Sequence, residues 1–495
     1  MKMHLSENLI FETSVNGRRG VVYPAPDVPS KPAGKLFPPE FRRKEPCKFP
    51  EVSELDVVRH FTRLSQLNFS EDTNFYPLGS CTMKYNPKMN ETAASLPGFN
   101  DIHPYQEDAT TQGTLELLWN LEKMLCELTG MGAFSLHPSA GAQGEFAGLL
   151  IARAYFDSLG QKRTKVIVPD SAHGTNPASA ALAGYSVMSI PSNARGRVDP
   201  ETLKKALHDD VAIVMITCPN TLGLFEDDIL EIAELVHKNG SLMYMDGANF
   251  NALVGLAQPA ALGFDIMHLN LHKTFSVPHG GGGPGSGPVG VTKKLEKFLP
   301  VPRVEKYEGK FRLMTDPAGS IGRLRCFYGN TGALIRAYAY IVALGLAGMK
   351  AVSENSIMNA NYIMSRLKKT FKPFVDEPCM HECVLSGSQY AKIGVKTLDI
   401  VKRLLDYGFY APTIYFPLIV PEAIMIEPTE TESKKNMDDF ITAMESIIEE
   451  TVKNPALVQT APHTTPTKRL DEVTAARNPI LKWTPSAGND DKGAA

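Results

Sequence analysis

The chain has 495 residues, 43% hydrophobic and 21% charged, the balance of a globular protein with a large core and a length that calls for two or three domains. With 51 basic against 54 acidic residues the formal net charge is -3, which excludes a broad cationic surface for nucleic acid or an anionic membrane. The opening residues, MKMHLSENLIFETS, lack the apolar core of a signal peptide, and the apolar run Tyr338 to Met349 is shorter than the ~20 residues a spanning helix needs. Seven cysteines (Cys47, Cys81, Cys126, Cys218, Cys326, Cys379, Cys383) are scattered and odd in number, the pattern of reduced thiols in a cytoplasmic protein.

Residues 1 to about 50 carry YPAPDVPSKP and KLFPPEFRRKEP. So many prolines deny regular pairing and predict an extended arm. A loose tail and an arm wrapped on a partner subunit both account for it, the second giving cover to Phe11, Val21, Val22 and Tyr23. Leu55, Val58, Phe61 and Leu64 recur at helical spacing. FYPLGSCTMKYNPK then crowds Ser80, Cys81, Thr82 and Lys84 into a loop, either a plain turn or a ligand-facing one.

From Thr114 helices and strands alternate. AFSLHP, KVIVPD, YSVMSI, VAIVMIT, SLMYMDGAN, DIMHLNL and PVGV read as strands. Between them lie a helix face from Leu115 to Leu128, EFAGLLIARAYF, a small-residue helix after SAHGTNP, DPETLKKALHD with Asp199 as N-cap and Pro200 at its first position, and DDILEIAELVHKNG closed by Gly240. This predicts an α/β fold, a mostly parallel seven-stranded sheet with helices on both faces. Helices over Ala333 to Met349 and Asn355 to Phe371 lead to HECVLSG, TLDIVKRLLDYGF, AIMIEPTE and a helix from Lys434 to Val452, a smaller α+β domain. The expected division is 1–85 (arm and helix), 86–335 (large domain), 336–453 (small C-terminal domain) and 454–495 (tail).

In such sheets ligands bind beyond the carboxyl ends of the strands. That edge collects Ser139 to Gln143, His173, Asp246 with Ala248 and Asn249, and Lys273. Lys273 suits a nucleophilic amine, and Asp246 a carboxylate for the protonated ring nitrogen of pyridoxal phosphate. His173 suits a ring laid over a cofactor, and SAGAQGE, opening a helix, a phosphate seat. Each has a structural alternative: a solvated lysine, a capping aspartate, a core histidine, an ordinary helix start. The run of four glycines after His279 is not a Walker loop, because Lys273 precedes it and no Gly-Lys-Ser/Thr follows. Cys379, His381 and Cys383 lack a second ligand pair nearby, so no metal site is expected.

LNLHKTFSVPHGGGGPGSGPVGV, PSAGAQGEFAGL, SAHGTNPASA and MDGANFNALVG together resemble the glycine decarboxylase P-protein of the glycine cleavage system, in particular subunit 2 (beta subunit) of its two-subunit form. LIFETSVNGRRGVVYP, SIGRLRCFYGN and RLDEVTAARNPILKW extend the likeness over nearly the whole chain, with His137-Pro138-Ser139 a small variation before AGAQGE. The resemblance implies a fold-type I enzyme using pyridoxal 5'-phosphate. Lys273 would be the Schiff-base lysine, Asp246 the partner of the ring nitrogen and His173 the stacked ring, these three being the catalytic set. Ala248 would pack on the opposite face, with Ser139, Ala140, Gly141, Gln143 and Thr274 as phosphate contacts.

The implied activity is that of a glycine dehydrogenase (aminomethyl-transferring), an oxidoreductase. It decarboxylates glycine and transfers the aminomethyl group to the oxidised lipoyl arm of the H-protein. The implied partners are subunit 1, in a cytoplasmic heterotetramer of two copies of each subunit, and the lipoylated H-protein. Another fold-type I enzyme (an aminotransferase or amino-acid decarboxylase) and a non-catalytic structural subunit are the alternatives. Arg323 and Arg325 are open between a carboxylate clamp and surface pairing. The glycine run is expected to pass beneath cofactor and partner, so that Gly281→Ala or Gly282→Ala weakens cofactor retention or assembly.

Overall fold

Seven strands pair into one sheet: β1 (Ala133–Ser135), β2 (Lys165–Pro169), β3 (Ser186–Ile190), β4 (Val211–Thr217), β5 (Leu242–Gly247), β6 (Ile266–Leu269) and β7 (Val289–Val291), in the order β1-β7-β6-β5-β4-β2-β3. This is a computed structural model, and it describes residues 6–45, 47–279 and 285–483. β2 to β6 are mutually parallel, while β7 runs against both β6 and β1. Every strand except β7 therefore ends at the same edge, as the apolar runs separated by helices require.

Successive side chains of a strand point to opposite faces. Ile213, Met215, Tyr244 and Ile266 join one core with the helices Gly141–Ser158 and Thr175–Leu182. Val214, Ile216, Met243, Met245 and Met267 join the other, with Gln112–Thr129, Ile229–Lys238 and the start of Thr331–Leu367. Burial on both faces is why β4 and β5 read as continuous apolar runs. Asp199 caps Pro200–Ala206, accepting the Thr202 N–H at 2.9 Å. A hairpin, β8 (Arg303–Tyr307) and β9 (Lys310–Met314), is pinned to the helix Gln112–Thr129 by the Gln112 amide, which donates to the Phe311 carbonyl at 2.6 Å.

The two helices expected here form, within the helical span Thr331–Leu367, and the break between them falls at Gly345, whose φ of 61° no helix residue adopts, rather than between Met349 and Asn355. The length and apolar composition of the span would let it cross a membrane. They follow instead from the two cores it serves: Leu334, Ile335 and Ile341 pack under the large sheet, and Ala360, Ile363 and Leu367 under a second one. That second sheet is antiparallel, β10 (Lys372–Pro373), β11 (Cys383–Ser386), β12 (Thr413–Ile414) and β13 (Ala423–Ile426), in the order β10-β11-β13-β12. Helices Thr397–Asp406 and Lys434–Lys453 cover it through Ile400, Leu404, Phe440 and Met444.

The chain forms two compact units, residues 70–461, and residues 1–69 with 462–495. These boundaries differ from the expected ones. The loop from Ser70 joins the larger unit because buried glutamates from beside the second sheet bond its backbone. The helix Pro455–Gln459 also belongs there, with Val458 fully buried, and the helical span Thr331–Leu367 crosses the expected 335/336 boundary and packs against both sheets. In the smaller unit Ser53 and Asp56 form a capping box for Glu54–Gln66, and Phe11 stacks on Trp483 at 4.9 Å. Leu55, Val58 and Phe61 keep their helical spacing but stay exposed.

Candidate active site

The strand ends open into a cavity of about 160 Å³. β5 carries the apolar Leu242 to Met245 and then Asp246, 3% exposed, so the carboxylate arrives inside the protein at the edge of the sheet. The Ala248 N–H donates to its Oδ1 at 2.9 Å, and the Asn176 amide to its Oδ2 at 3.0 Å. β6 lies alongside with Asp246 in register with His268. His268 Nε2 is 3.3 Å from Asp246 Oδ1 and its Nδ1 is 2.9 Å from the Tyr244 hydroxyl, so one tautomer serves both. Burial alone would raise the Asp246 carboxyl; His268, Asn176 and Ala248 more than offset it and hold it below the ordinary aspartate range.

The same Asn176 amide donates to Glu145 Oε2 at 3.1 Å. Burial first, and then the charge of Asp246, push the Glu145 carboxyl up to about 7. Two carboxylates in one wall are thus driven apart, Asp246 ionised and Glu145 ready to carry a proton. With His268 they bring donor atoms within 4.8 Å of one another.

Four residues beyond β6, Lys273 lines the cavity and donates its Nζ to the Ser80 carbonyl at 2.7 Å. His173 stands at the mouth, solvent-exposed, its Nδ1 accepting the Thr175 N–H at 3.1 Å and its ring edge-on to Phe416. Ala248 and Asn249 complete the β5 side.

The helix Gly141–Ser158 points its start at the cavity, with Gly141 and Ala142 in the wall. No side chain caps it, which leaves first-turn N–H groups for an anion. A Cβ on Gly141 would lie 2.2 Å from Asn270 Oδ1, so only glycine lets helix and β6 end meet this closely.

The structure brings Lys273, Asp246, His173, Ala248 and Gly141 together around the cavity. Ser139, Ala140, Gln143 and Thr274 are not in its lining. Ala140 is the N-cap, and Ser139 N and Oγ both donate to Gln143 Oε1, at 2.8 and 3.0 Å, so those two side chains brace each other. Thr274 is buried with its hydroxyl unpartnered, as are Thr217 Oγ1, Asn270 Oδ1 and His272 Nδ1. Thr217, Asn270 and His272 line the cavity, and such orphaned polar atoms around one space are the mark of a polar ligand. Arg323 and Arg325 are not in the wall; they lie over the Tyr105 and Phe327 rings. Residues 280–284, with the expectation for Gly281 and Gly282, lie outside the described residues.

Sequence reasoning passed over Glu145, His268, Asn270 and Asn176. Two had a usable signal: Glu145 is the last residue of SAGAQGE, and His268 sits in β6 opposite Asp246. Cys379 and Cys383 are buried free thiols, while His381 between them lies with Glu382 and Glu427.

The profile of the glycine cleavage system P-protein matches residues 32–304, and that of a glycine dehydrogenase C-terminal domain matches residues 352–464. The chain is 57% identical to a "probable glycine dehydrogenase (decarboxylating) subunit 2" of Caldanaerobacter subterraneus, over 96% of this chain and 99% of that one. A protein of the same description from Chloroherpeton thalassium is 54% identical over 97% and 98%. Among solved structures, an inhibitor-bound glycine decarboxylase (P-protein) of the glycine cleavage system aligns with a TM-score of 0.69 at 20% identity, covering 84% of this chain and 93% of that one. A sphingosine-1-phosphate lyase of Burkholderia pseudomallei aligns at 0.62 and 14% identity, covering 88% and 95%. At these identities the structures share a fold, the fold-type I architecture, while the sequence matches are near full length, and by them the chain belongs to the glycine cleavage system P-protein family.

Proposed function

We propose that this chain is the cofactor-bearing subunit of a glycine decarboxylase. It releases the glycine carboxylate as CO2 and passes the aminomethyl group to the oxidised lipoyl arm of an H-protein, with pyridoxal 5'-phosphate held at Lys273. A second subunit, subunit 1, completes the enzyme as a cytoplasmic heterotetramer with two copies of each. The observation that carries this reading is the single cavity that sets the Lys273 amine, the buried Asp246 carboxylate and an uncapped helix start around one space. The cofactor suits the donor set: a phosphate for the first-turn N–H groups and the Thr274 hydroxyl, a ring nitrogen for Asp246, and polar atoms for the orphans at Asn270 and His272.

Bound there, pyridoxal phosphate supplies the electron sink for cleaving the carbon–carboxylate bond. Lys273 would hold it through its amine. Asp246, kept ionised by its three partners, would keep a proton on the ring nitrogen. His173 and Ala248 are the wall residues that would take the two ring faces, while Ser139, Ala140 and Gln143 brace the helix start that holds the phosphate. Asn176 would help fix the charge on Asp246 through its amide, which it shares with Glu145.

The test is direct. The purified chain loaded with cofactor should absorb in the visible range, and borohydride should lock the cofactor mass onto the Lys273 peptide. With subunit 1, a lipoylated H-protein and carboxyl-labelled glycine it should release labelled CO2. Absence of the band and adduct would overturn the cofactor assignment, and full-rate CO2 release without the lipoyl carrier would overturn the transfer.

A further inference from the structure

Behind the Ser80 side of the cavity lie two glutamates with no part in the chemistry above. Glu382, just before β11, and Glu427, just after β13, are both fully buried. Glu382 Oε2 accepts the Ser80 N–H at 2.7 Å. Glu427 accepts the Thr82 N–H at 2.9 Å and the Thr82 hydroxyl at 2.5 Å. Ser80 (φ 64°) and Thr82 (φ 48°) both stand in the left-handed region, which costs a side-chain-bearing residue about 1–2 kcal/mol. The carboxylates hold the loop in a shape it would not keep alone, and that shape presents the Ser80 carbonyl to the Lys273 amine at 2.7 Å.

His381, equally buried, sits beside them with both ring nitrogens unpartnered, as is Glu382 Oε1. The thiol of Cys81, within the same loop, also feels both glutamates and Lys273. Neither glutamate has a lysine or arginine ion partner among the described residues, and the positive charge that acts on both is that of Lys273. Burial raises both carboxyls, most of all Glu382, which also faces the charge of Glu427, and Lys273 opposes the rise in each. Two buried carboxylates with donor atoms within 4.8 Å of one another resist ionising together, so the pair holds a proton more readily than a lone glutamate would.

We propose that the Ser80 carbonyl, backed by Glu382 and Glu427, is the seat that takes the Lys273 amine as an ammonium whenever that amine is not bonded to the cofactor. The two glutamates are then positioning residues for the lysine. The inference rests on Lys273 being the cofactor lysine. An incoming glycine ammonium carries three protons and gives up two as its nitrogen bonds to the cofactor carbon. The lysine nitrogen, which would carry one proton while bonded to that carbon, would take those two as the bond breaks and leave as an ammonium. Charge is conserved, and the freed cation needs an acceptor and a counter-charge, which Ser80 and the shared negative charge of the pair provide.

Labelling of Lys273 in the cofactor-free chain by trinitrobenzenesulfonate at pH 8, read by peptide mass spectrometry, tests this. Glu382→Gln or Glu427→Gln alone leaves one charge, and labelling should stay within about twofold of the parent. The double variant removes the charge, and labelling should rise well beyond that twofold. An unchanged double variant overturns the proposal, and so does a full rise in either single variant, the signature of packing alone. Should the double variant not fold, infrared difference spectra of the single variants decide. Each must lose one buried carboxylic-acid band, and no loss in either overturns the shared proton. Stoichiometric divalent metal in the purified chain, lost in His381→Ala, would also overturn it, the carboxylates then being committed to a cation. Borohydride trapping judges the cofactor reading separately: no adduct on Lys273 sinks that reading, whereas an adduct with unchanged labelling sinks only the seat.

Discussion

Replacing Lys84 with methionine keeps most of the side-chain volume and removes one buried ammonium. Lys84 is 2% exposed, and its Nζ reaches Thr274 O at 2.7 Å, Glu430 Oε1 at 2.8 Å, Asn251 Oδ1 at 3.0 Å and Tyr340 Oη at 3.1 Å. Breaking one side of a buried pair leaves the other charge uncompensated and costs about 3–5 kcal/mol. The Thr274 carbonyl, next to Lys273, loses its donor as well. Urea unfolding followed by circular dichroism should show a loss of that size for Lys84→Met. Lys84→Met combined with Glu430→Gln should lose less than the sum of the singles by about 1 kcal/mol or more. The pH dependence has a definite sign. Burial alone would lower the Lys84 amine, but Glu430 and Tyr340 more than offset it, so it lies above the ordinary 10.5. Its contribution is complete below 10.5 and is lost as pH rises through the higher folded value. Between 10.5 and that higher value the parent should lose stability faster than the variant. A loss under about 1 kcal/mol, or strict additivity of the two substitutions, would refute the reasoning.

Asp246→Asn should leave cofactor trapping on Lys273 in place while slowing CO2 release by about 10²-fold or more, and equal rates would show that the ring nitrogen does not rely on this carboxylate. Because Glu145 is held at about 7 rather than 4.5, the cofactor-free chain should lose up to about 3 kcal/mol of stability as pH rises through that interval; Glu145→Gln should flatten the slope in a pH series of urea melts. Of the seven thiols, Cys47 and Cys326 are exposed and Cys218, Cys379 and Cys383 are buried. A thiol reagent should therefore modify the first two at once and the last three only on unfolding, as mass spectrometry of the labelled peptides would show.

The large sheet was legible because its information is local. Strands buried on both faces must be apolar throughout, so β4, β5 and β6 announce themselves, and the rule that ligands bind at their carboxyl ends points to Asp246 and Lys273. Two helices were legible within Thr331–Leu367, but the place of the break between them was not. Apolar residues continue on both sides of Gly345, and only its positive φ of 61° reveals that the helix stops there. Ser80, Thr82 and Lys84 stood out as a crowded loop but without an assignment, because their partners are far away in the chain. Glu382 is 302 residues from Ser80, Glu427 is 345 from Thr82, and Glu430 is 346 from Lys84.

By itself the sequence determined the α/β architecture and pointed to the sheet edge that gathers Lys273, Asp246 and the start of the helix Gly141–Ser158. Each of these follows from residue type and short-range periodicity. The tertiary structure alone decided what surrounds them: which carboxylates are ionised, which hydroxyls are left for a ligand, and which loop carbonyl receives the lysine amine. Those depend on burial and on contacts between segments hundreds of residues apart, and no local pattern encodes either.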